Sequence, residues 1–356
     1  MPQEFKADND TYEAWLSTKC AVVTADLDFK HQRMVKSPFV FLRATYFRWA
    51  TQIEALCPDL LSAPAVPSVG DIHIENFGTW RDGDGRLVWG VNDFDEVATI
   101  PYAFDLVRLA TSALLAPRLT VAGPQAIAAI LSGYVEGLAA PQPTLVHEHA
   151  IWMRSLVQPS DAACSAFWQE LDGYPEVTPP QSVATALTAS LPDGSENLRF
   201  SSRRKGGGGL GRPRFVVAAQ WRGGTIAREA KAWIPSAWGW AHSYETSPTD
   251  YLALANGIFR SPDTDLRLDI EVRYIIRRIA PDSRKIDLGG SSTEQLDTKF
   301  LQAMGFDLAA IHAAAKNNRP AITADLQARR SGWLQEAATR ARAAVQHDFD
   351  SWRITS

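Results

Sequence analysis

Cysteine is scarce in this chain, and the three present, Cys20, Cys57 and Cys164, lie far apart with no C-x-x-C pair. That spacing excludes a disulfide framework and a thiolate zinc site, and it fits free thiols in a reducing compartment. Long apolar runs are missing as well. No stretch approaches the roughly 18 residues that a membrane-spanning helix requires. Met1 to Asp10 is polar and acidic, which is not the pattern of a secretory signal, so a cytoplasmic protein without a membrane partner is expected. A strong charge of one sign is also lacking. A net charge of −4 over 356 residues gives no general pull toward nucleic acid or anionic lipid. No recognised nucleic-acid module appears, and specific nucleic-acid binding is not expected. No internal repeat is visible, and nothing in the sequence fixes the oligomeric state.

What is present is a chain long enough for a large core, with two lobes favoured over one. The 12 tryptophans are scattered, which suits core and groove packing. Residues 10 to 62 read as helical, with a break near Lys36-Ser-Pro38, because proline disfavours helix in the residue before it. Asp82-Gly-Asp-Gly85 is a turn signal, and residues 87 to 92 read as a short buried strand. Leu106, Leu109, Ala110, Ala113 and Leu114 recur at helical spacing. Two further helices are expected over 124 to 157. Proline, serine and threonine accumulate over 158 to 205, and a lobe boundary is set near the end of that stretch. Residues 206 to 280 read as β-rich, with a turn at Gly223-Gly224. Long helices return from 292 to 351. The domain reading is therefore 1–200 for the first part of a helical catalytic lobe, 201–290 for a β-rich nucleotide-binding lobe, and 291–356 for helices that complete the first lobe.

The densest chemistry lies in Val69-Gly-Asp-Ile-His-Ile-Glu-Asn-Phe-Gly78 and, shortly after, Val91-Asn-Asp-Phe-Asp-Glu96. Asp71 and Asn76 supply an acid and an amide five positions apart, and Asp93 follows 22 residues after Asp71. A carboxylate poised as a base, with a carboxamide and a second carboxylate on Mg²⁺, is what phosphoryl transfer asks of a protein. Two arrangements are open. In a strand, Asp71, His73 and Glu75 would share one face; in a loop entering a helix, Asp71 and Asn76 would converge on one ion. A lone Asp or Asn would read as a turn cap or a backbone partner, but a polar, glycine-bounded stretch with a second acidic cluster favours function.

A second motif is Lys205-Gly-Gly-Gly-Gly-Leu-Gly-Arg212, where Gly206, Gly208 and Gly211 fit G-x-G-x-x-G. So many glycines satisfy almost any glycine pattern, and a flexible linker is the plain alternative. No Lys-Ser or Lys-Thr follows, so this is not a Walker A loop. A strand rather than a helix follows, so it is not a Rossmann turn. An apolar strand, a turn and a second strand carrying Arg228 and Lys231 is the order of the hairpin that covers the phosphates in a kinase. Arg199, Arg203, Arg204, Lys205, Arg212 and Arg214 surround the glycines, either as a solvated surface or as an attractor of polyanions. Arg273, Arg277, Arg278, Arg284 and Lys285 would line the same cleft. His147 and His149 read as helix-surface residues, and His312 as a packed, hydrogen-bonded one.

These motifs carry two resemblances. Gly70-Asp-x-His-x-x-Asn76, Asn92-Asp-Phe-Asp95 and Pro101-Tyr-Ala-Phe-Asp-Leu106 resemble the aminoglycoside phosphotransferase and choline kinase branch of the protein-kinase-like fold. Ser37-Pro-Phe-Val-Phe-Leu-Arg43, Gly70 to Gly78, Asn92 to Glu96, Asp105-Leu-Val-Arg-Leu109, the glycine run and Ile311-His-Ala-Ala314 resemble DUF2252, a bacterial family of unknown function, over residues 30 to 350. The kinase resemblance implies an α+β, two-lobe fold. It implies that Asp71 accepts the substrate hydroxyl proton, that His73 braces the loop, and that Asn76 and Asp93 bind Mg²⁺. Asp105 would hold the loop from below through backbone N–H groups. Asp95 is extra, as a further metal ligand or a partner of Arg108. Arg228 or Lys231 would touch the phosphates of ATP, and the helix after them, 249 to 259, carries Asp250 but no glutamate to orient that cation; Glu245 precedes it. Because the glycine hairpin follows the catalytic loop here, the fold would be circularly permuted. The expected activity is γ-phosphoryl transfer from ATP to a hydroxyl of a small molecule. Adenylyl transfer, a nucleotide-binding pseudokinase, and a metal-dependent hydrolase or oxygenase built on His73 and Glu75 are the alternatives.

Overall fold

The sequence places a proline or a capping side chain at most helix starts, and the elements begin there. The computed structural model describes residues 4–244, 246–285, 295–315 and 318–355; Glu245 and the boundary at 291 lie outside them. The chain opens with α1 (Phe5–Lys19), α2 (Thr24–Met34), α3 (Pro38–Ala44) and α4 (Tyr46–Leu56). The expected break falls between α2 and α3, where the Ser37 hydroxyl accepts from Val40 N at 3.3 Å and Pro38 opens the helix.

Strand β1 (Ala65–Ser68) leads to the first motif, and β4 (Ala98–Pro101) pairs with it antiparallel. Between them runs the hairpin of β2 (Phe77–Arg81) and β3 (Leu87–Val91), with the Asp82–Gly85 turn at its tip. Helix α5 (Tyr102–Leu115) follows. It is buried on nearly every side, as an all-round apolar helix must be, and it contacts α3, α6, α14 and β1. Helix α6 (Gly123–Ala139) is single. The expected second helix is replaced by β5 (Thr144–Leu145), a turn holding His147 and His149, and the short α7 (Arg154–Val157). Pro141 and Pro143 stop α6 and leave too little apolar periodicity to start another helix.

The Pro- and Ser-rich stretch carries α8 (Asp161–Asp172) and α9 (Gln181–Ala189). They flank a five-stranded antiparallel sheet in the order β6-β7-β8-β10-β9, formed by β6 (Glu196–Ser202), β7 (Arg214–Trp221), β8 (Gly224–Ala232), β9 (Arg267–Asp269) and β10 (Tyr274–Ile279). Leu171 of α8 packs on one face with Val216, Ala218 and Ala227. Val183 and Leu187 of α9 pack on the other with Val217, Ala230 and Ile276. The β7–β8 turn is Arg222-Gly223, one residue earlier than expected, and both have positive φ (48° and 80°), the signature of a type I′ hairpin. Helices α10 (Ala237–Ala241) and α11 (Pro248–Ala255) lie between β8 and β9.

The last helices, α12 (Thr298–His312), α13 (Asn318–Ala328) and α14 (Trp333–Thr355), rejoin the first body. α12 lies against α6, and α14 against α1, α3, α4 and α5. Cβ atoms added at Gly133 and Gly305 would run into the carbonyl oxygens of Gln302 and Ile130. Glycine is therefore what lets these two backbones touch. The fold is mixed α and β, with the largest core in the helical body.

Candidate functional site

Two short turns meet because of the β2–β3 hairpin. Phe77 pairs with Val91 across it, so the residues that flank the hairpin, Asn76 and Asn92, are neighbours. Asn92 N donates to Asn76 O at 3.1 Å. The Asn76 amide then stitches the two motifs together, with Nδ2 donating to Asp71 O at 3.0 Å and to Asp93 O at 3.2 Å. The spacing between Asn76 and Asp93 is thus the length of one hairpin. Residues 74–76 form a single 3₁₀ turn, so the stretch is not a strand with Asp71, His73 and Glu75 on one face.

The first motif is held from below as the resemblance implied. Asp105, fully buried near the start of α5, accepts from Val69 N at 2.8 Å and Gly70 N at 3.0 Å, and lies 3.2 Å from His312 Nε2. His312 Nδ1 is 2.8 Å from Tyr134 Oη, so this histidine is packed and hydrogen-bonded. Gly70 sits at φ +77°, and a Cβ there would strike Glu96 O. That close approach brings Asp71 beside the second motif.

Asp71 accepts from Arg108 through Nε at 2.9 Å and also through Nη2. Arg108, 1% exposed, lies between the rings of Tyr46 and Trp49 and donates to Leu42 O. Burial pushes the Asp71 carboxyl up to about 7, against the opposing pull of Arg108. Asp95, expected as the other possible partner of Arg108, pairs instead with Lys231 and, at 3.1 Å, with Arg212. Arg212 also holds Glu96 at 2.7 Å, and Glu96 in turn accepts from Ala237 N at 2.6 Å. Asp93 is 2.9 Å from Lys285 Nζ and 3.8 Å from Lys231 Nζ. Burial alone would raise its carboxyl, but Lys231, Lys285 and Arg277 hold it well below the usual range. Lys285 reaches this point because its segment bridges to Gly78 on β2.

The glycine run closes over the same place. A Cβ on Gly208 would lie 3.4 Å from Asp71 Oδ2, and one on Gly209 would lie 3.1 Å from Lys231 Nζ. Gly206 and Gly211 anchor the ends: Arg33 Nη1 donates to Gly206 O at 2.7 Å, and Val23 N to Gly211 O at 2.9 Å. Lys231 and Arg228 sit on opposite faces of β8. Lys231 faces Asp93 and Asp95, while Arg228 pairs with Asp265 at 3.0 Å on the far side. His73 is buried and its Nδ1 has no hydrogen-bond partner among the described residues. Burial, together with Arg43 and Arg108, keeps its imidazole neutral. Glu75 is engaged by Arg43 at 2.5 Å.

Sequence reasoning set Arg108 beside Asp95 rather than Asp71, left Arg212 without a partner in the basic cluster, and gave Glu96 no role of its own. Arg108 follows Asp105 by three residues, one helical step along the same face of α5, which was a usable signal. Arg212 had none beyond its place at the end of the glycine run. The basic cluster around the glycines is engaged in ion pairs: Arg203 and Arg214 hold Glu229, and the exposed Arg204 and Lys205 hold Asp26 and Glu170. Among the described residues no group of three or more His, Cys, Asp or Glu is arranged around a common point for a metal, and no helix is long and apolar enough to cross a membrane. Of the oxygen donors at the junction, Asp71 is held by Arg108 and Asp95, expected as a metal ligand, by Lys231 and Arg212, which leaves Asp93, beside Lys285, and Asn76 as a pair. Such a pair suits Mg²⁺, which takes one or two protein oxygens and completes its shell with water and phosphate.

No curated protein and no solved structure matches the chain. The segment from α2 to the end of α6, residues 23–140, matches the family described as "Uncharacterized protein conserved in bacteria (DUF2252)", and this stretch holds both acidic motifs, Asp105 and Arg108.

Proposed function

We propose that the chain is a phosphotransferase of a circularly permuted, two-lobe kinase-like fold, using ATP and Mg²⁺ to phosphorylate a hydroxyl of a small molecule. One observation carries this reading. The glycine run and Lys231, from a sheet more than a hundred residues further along the chain, meet Asp71 and Asp93: Gly208 lies beside Asp71 Oδ2, and Lys231 Nζ is 3.8 Å from Asp93 Oδ1. Glycine hairpin, lysine strand, helix and two more strands is also the order of a kinase's nucleotide lobe.

In this reading Asp71, titrating near neutrality, accepts the proton of the attacking hydroxyl. Asp93, held ionised, and the side-chain oxygen of Asn76 would hold Mg²⁺, which would supply positive charge against the charge that develops on the transferred group. Lys231 turns from Asp95 toward phosphate. The glycine loop, without side chains, lets backbone N–H groups approach the phosphate chain. Arg228, on the outer face, takes no part.

The test is thermal and chemical denaturation of the chain with ATP and Mg²⁺, set beside Asp93→Ala. A ligand at about 100 times its dissociation constant adds roughly 2.7 kcal/mol. Stabilisation that requires Mg²⁺ and is lost in the variant supports the site. No stabilisation of a folded chain by any nucleotide rejects it. A second reading, a nucleotide-binding pseudoenzyme, is favoured by the two-pronged grip of Arg108 on Asp71. Mg²⁺-ATP binding without phosphoryl transfer in an acceptor screen would select it.

A further inference from the structure

Three adjacent strands place an unusual charge group under the glycine loop. Glu229 on β8 is fully buried. It accepts from Arg203 Nη1 at 2.5 Å, from Arg214 Nη1 at 3.1 Å to both of its oxygens, and from Arg277 Nε and Nη2 at 3.1 and 2.9 Å. A carboxylate offers about four lone-pair sites, so Glu229 is saturated. One negative charge cannot balance three guanidiniums, and an unbalanced buried charge costs several kcal/mol. The neighbouring cluster is balanced within itself and, among the described residues, supplies no spare acid at ion-pair distance. Arg212, Lys231 and Lys285 pair there with Glu96, Asp95 and Asp93, while Glu170 and Asp263 act on Arg203 and Arg277 without forming an ion pair with them.

The surplus faces the loop. Arg214 gives only Nη1 to Glu229. Its Nη2 lies 3.9 and 3.7 Å from where Cβ atoms on Gly206 and Gly209 would sit. Arg214 pairs directly with Lys231 across β7 and β8, and Arg277 pairs with Glu229 across β8 and β10. The three cations thus occupy one face of the sheet, with no side chain on the glycines above them. A kinase sets its lysine with a glutamate on the following helix. Here the acid of that helix, Asp250, caps its own N-terminus, and Lys231 is held instead by Asp95.

We propose that Arg214, Arg277 and Lys231 form a basin for a di- or triphosphate chain, in which Glu229 is a positioning residue that fixes the two guanidiniums toward the glycine loop. The anion site stands on this charge group. That the phosphate chain belongs to a nucleotide rests on the reading above. Guanidiniums grip phosphate oxygens bidentately where a lysine offers a point charge, so the arginines would set the register of the chain and Lys231 its charge.

The test is calorimetric titration of the full chain with inorganic tripolyphosphate in EDTA, and separately with ATP. Wild type is expected to bind tripolyphosphate, with affinity falling steeply as salt rises. Arg214→Gln and Arg277→Gln are each expected to weaken it by roughly tenfold or more. Arg204→Ala, whose partner Asp26 lies outside the group, should leave it unchanged. Wild type that takes up no tripolyphosphate, or folded variants that bind it as tightly as wild type, would overturn the basin. Should both variants fail to fold, phenylglyoxal labelling of Arg277 in wild type decides: loss of labelling with tripolyphosphate supports the basin, and unchanged labelling overturns it. ATP binding that survives both substitutions at full strength removes the basin and leaves the nucleotide reading. Tripolyphosphate that binds as tightly as ATP keeps the basin and removes the nucleotide.

Discussion

Asp71 is the residue through which pH acts most directly. Its carboxyl titrates at about 7 in the folded chain and at 3.8 in a free one. Between those values the native state holds a proton that the unfolded chain has released, so the contribution of Asp71 to stability falls as pH rises through that window. Asp71→Asn removes the titration. Urea denaturation from pH 4 to 8 should show wild type losing stability relative to the variant as pH rises; parallel profiles would place the Asp71 pKa elsewhere. The proposed phosphoryl transfer, which would need the deprotonated base, should rise over the same window. Asp105 has the opposite character, a buried structural hub. Asp105→Ala strips two backbone N–H groups and His312 of their acceptor and should cost on the order of 3 kcal/mol or more, read by urea denaturation at pH 7. The backbone role of Asp105 and the packed state of His312 were legible in the sequence. The grip of Arg212 on Glu96, 116 residues away, was not, because an ion pair leaves no mark on spacing when its partners come from different elements.

At the scale of elements, what stayed hidden was a hairpin. β3 reads as a strand from Leu87 onward, but β2 does not. Phe77 to Trp80 are all buried, and a strand covered on both faces has no alternation to read. Without that strand, the spacing from Asn76 to Asp93 had no geometric explanation. β7 and β8 were legible because their apolar runs flank a glycine turn. That Arg228 and Lys231, three positions apart, lie on opposite faces of one strand followed from alternation alone. Which of the two faces the site did not, since only packing decides which side of a sheet meets the other body. Glycine is decisive between α6 and α12. Gly133→Ala and Gly305→Ala force the helix backbones apart and should each destabilise by at least about 1–3 kcal/mol, measured as a lower urea midpoint; an unchanged midpoint would mean that the contact is looser than described.

For the whole molecule, the order of segments matters more than their identity. The two acidic motifs precede the sheet that covers them, and the helices after the sheet return to the starting body. The composition shift over 158 to 205 marked the passage between them, and the apolar spacing marked the helices on either side. The return of the terminal helices to the first lobe was an expectation of the sequence, but the buried arginine that ties α14 to that body was not legible. Arg48 on α4 bonds Asp8 on α1 and, at 2.8 Å, Asp348 on α14. Asp348→Ala should cost on the order of 3 kcal/mol and, because the pair is buried, the loss should change little between low and high salt; a loss that vanishes in salt would mark the pair as a surface contact. The same clamp also has a history in time. Asp348 is made 300 residues after Arg48. Phe5 and Phe41 wait as long for Trp352 and Phe349, the rings that pack against them. At roughly 5–20 residues per second of synthesis, the first helices of each nascent chain stand about 15 to 60 s without their final cover, an interval in which a holdase or a neighbouring nascent chain competes with α14 for the same aromatic face.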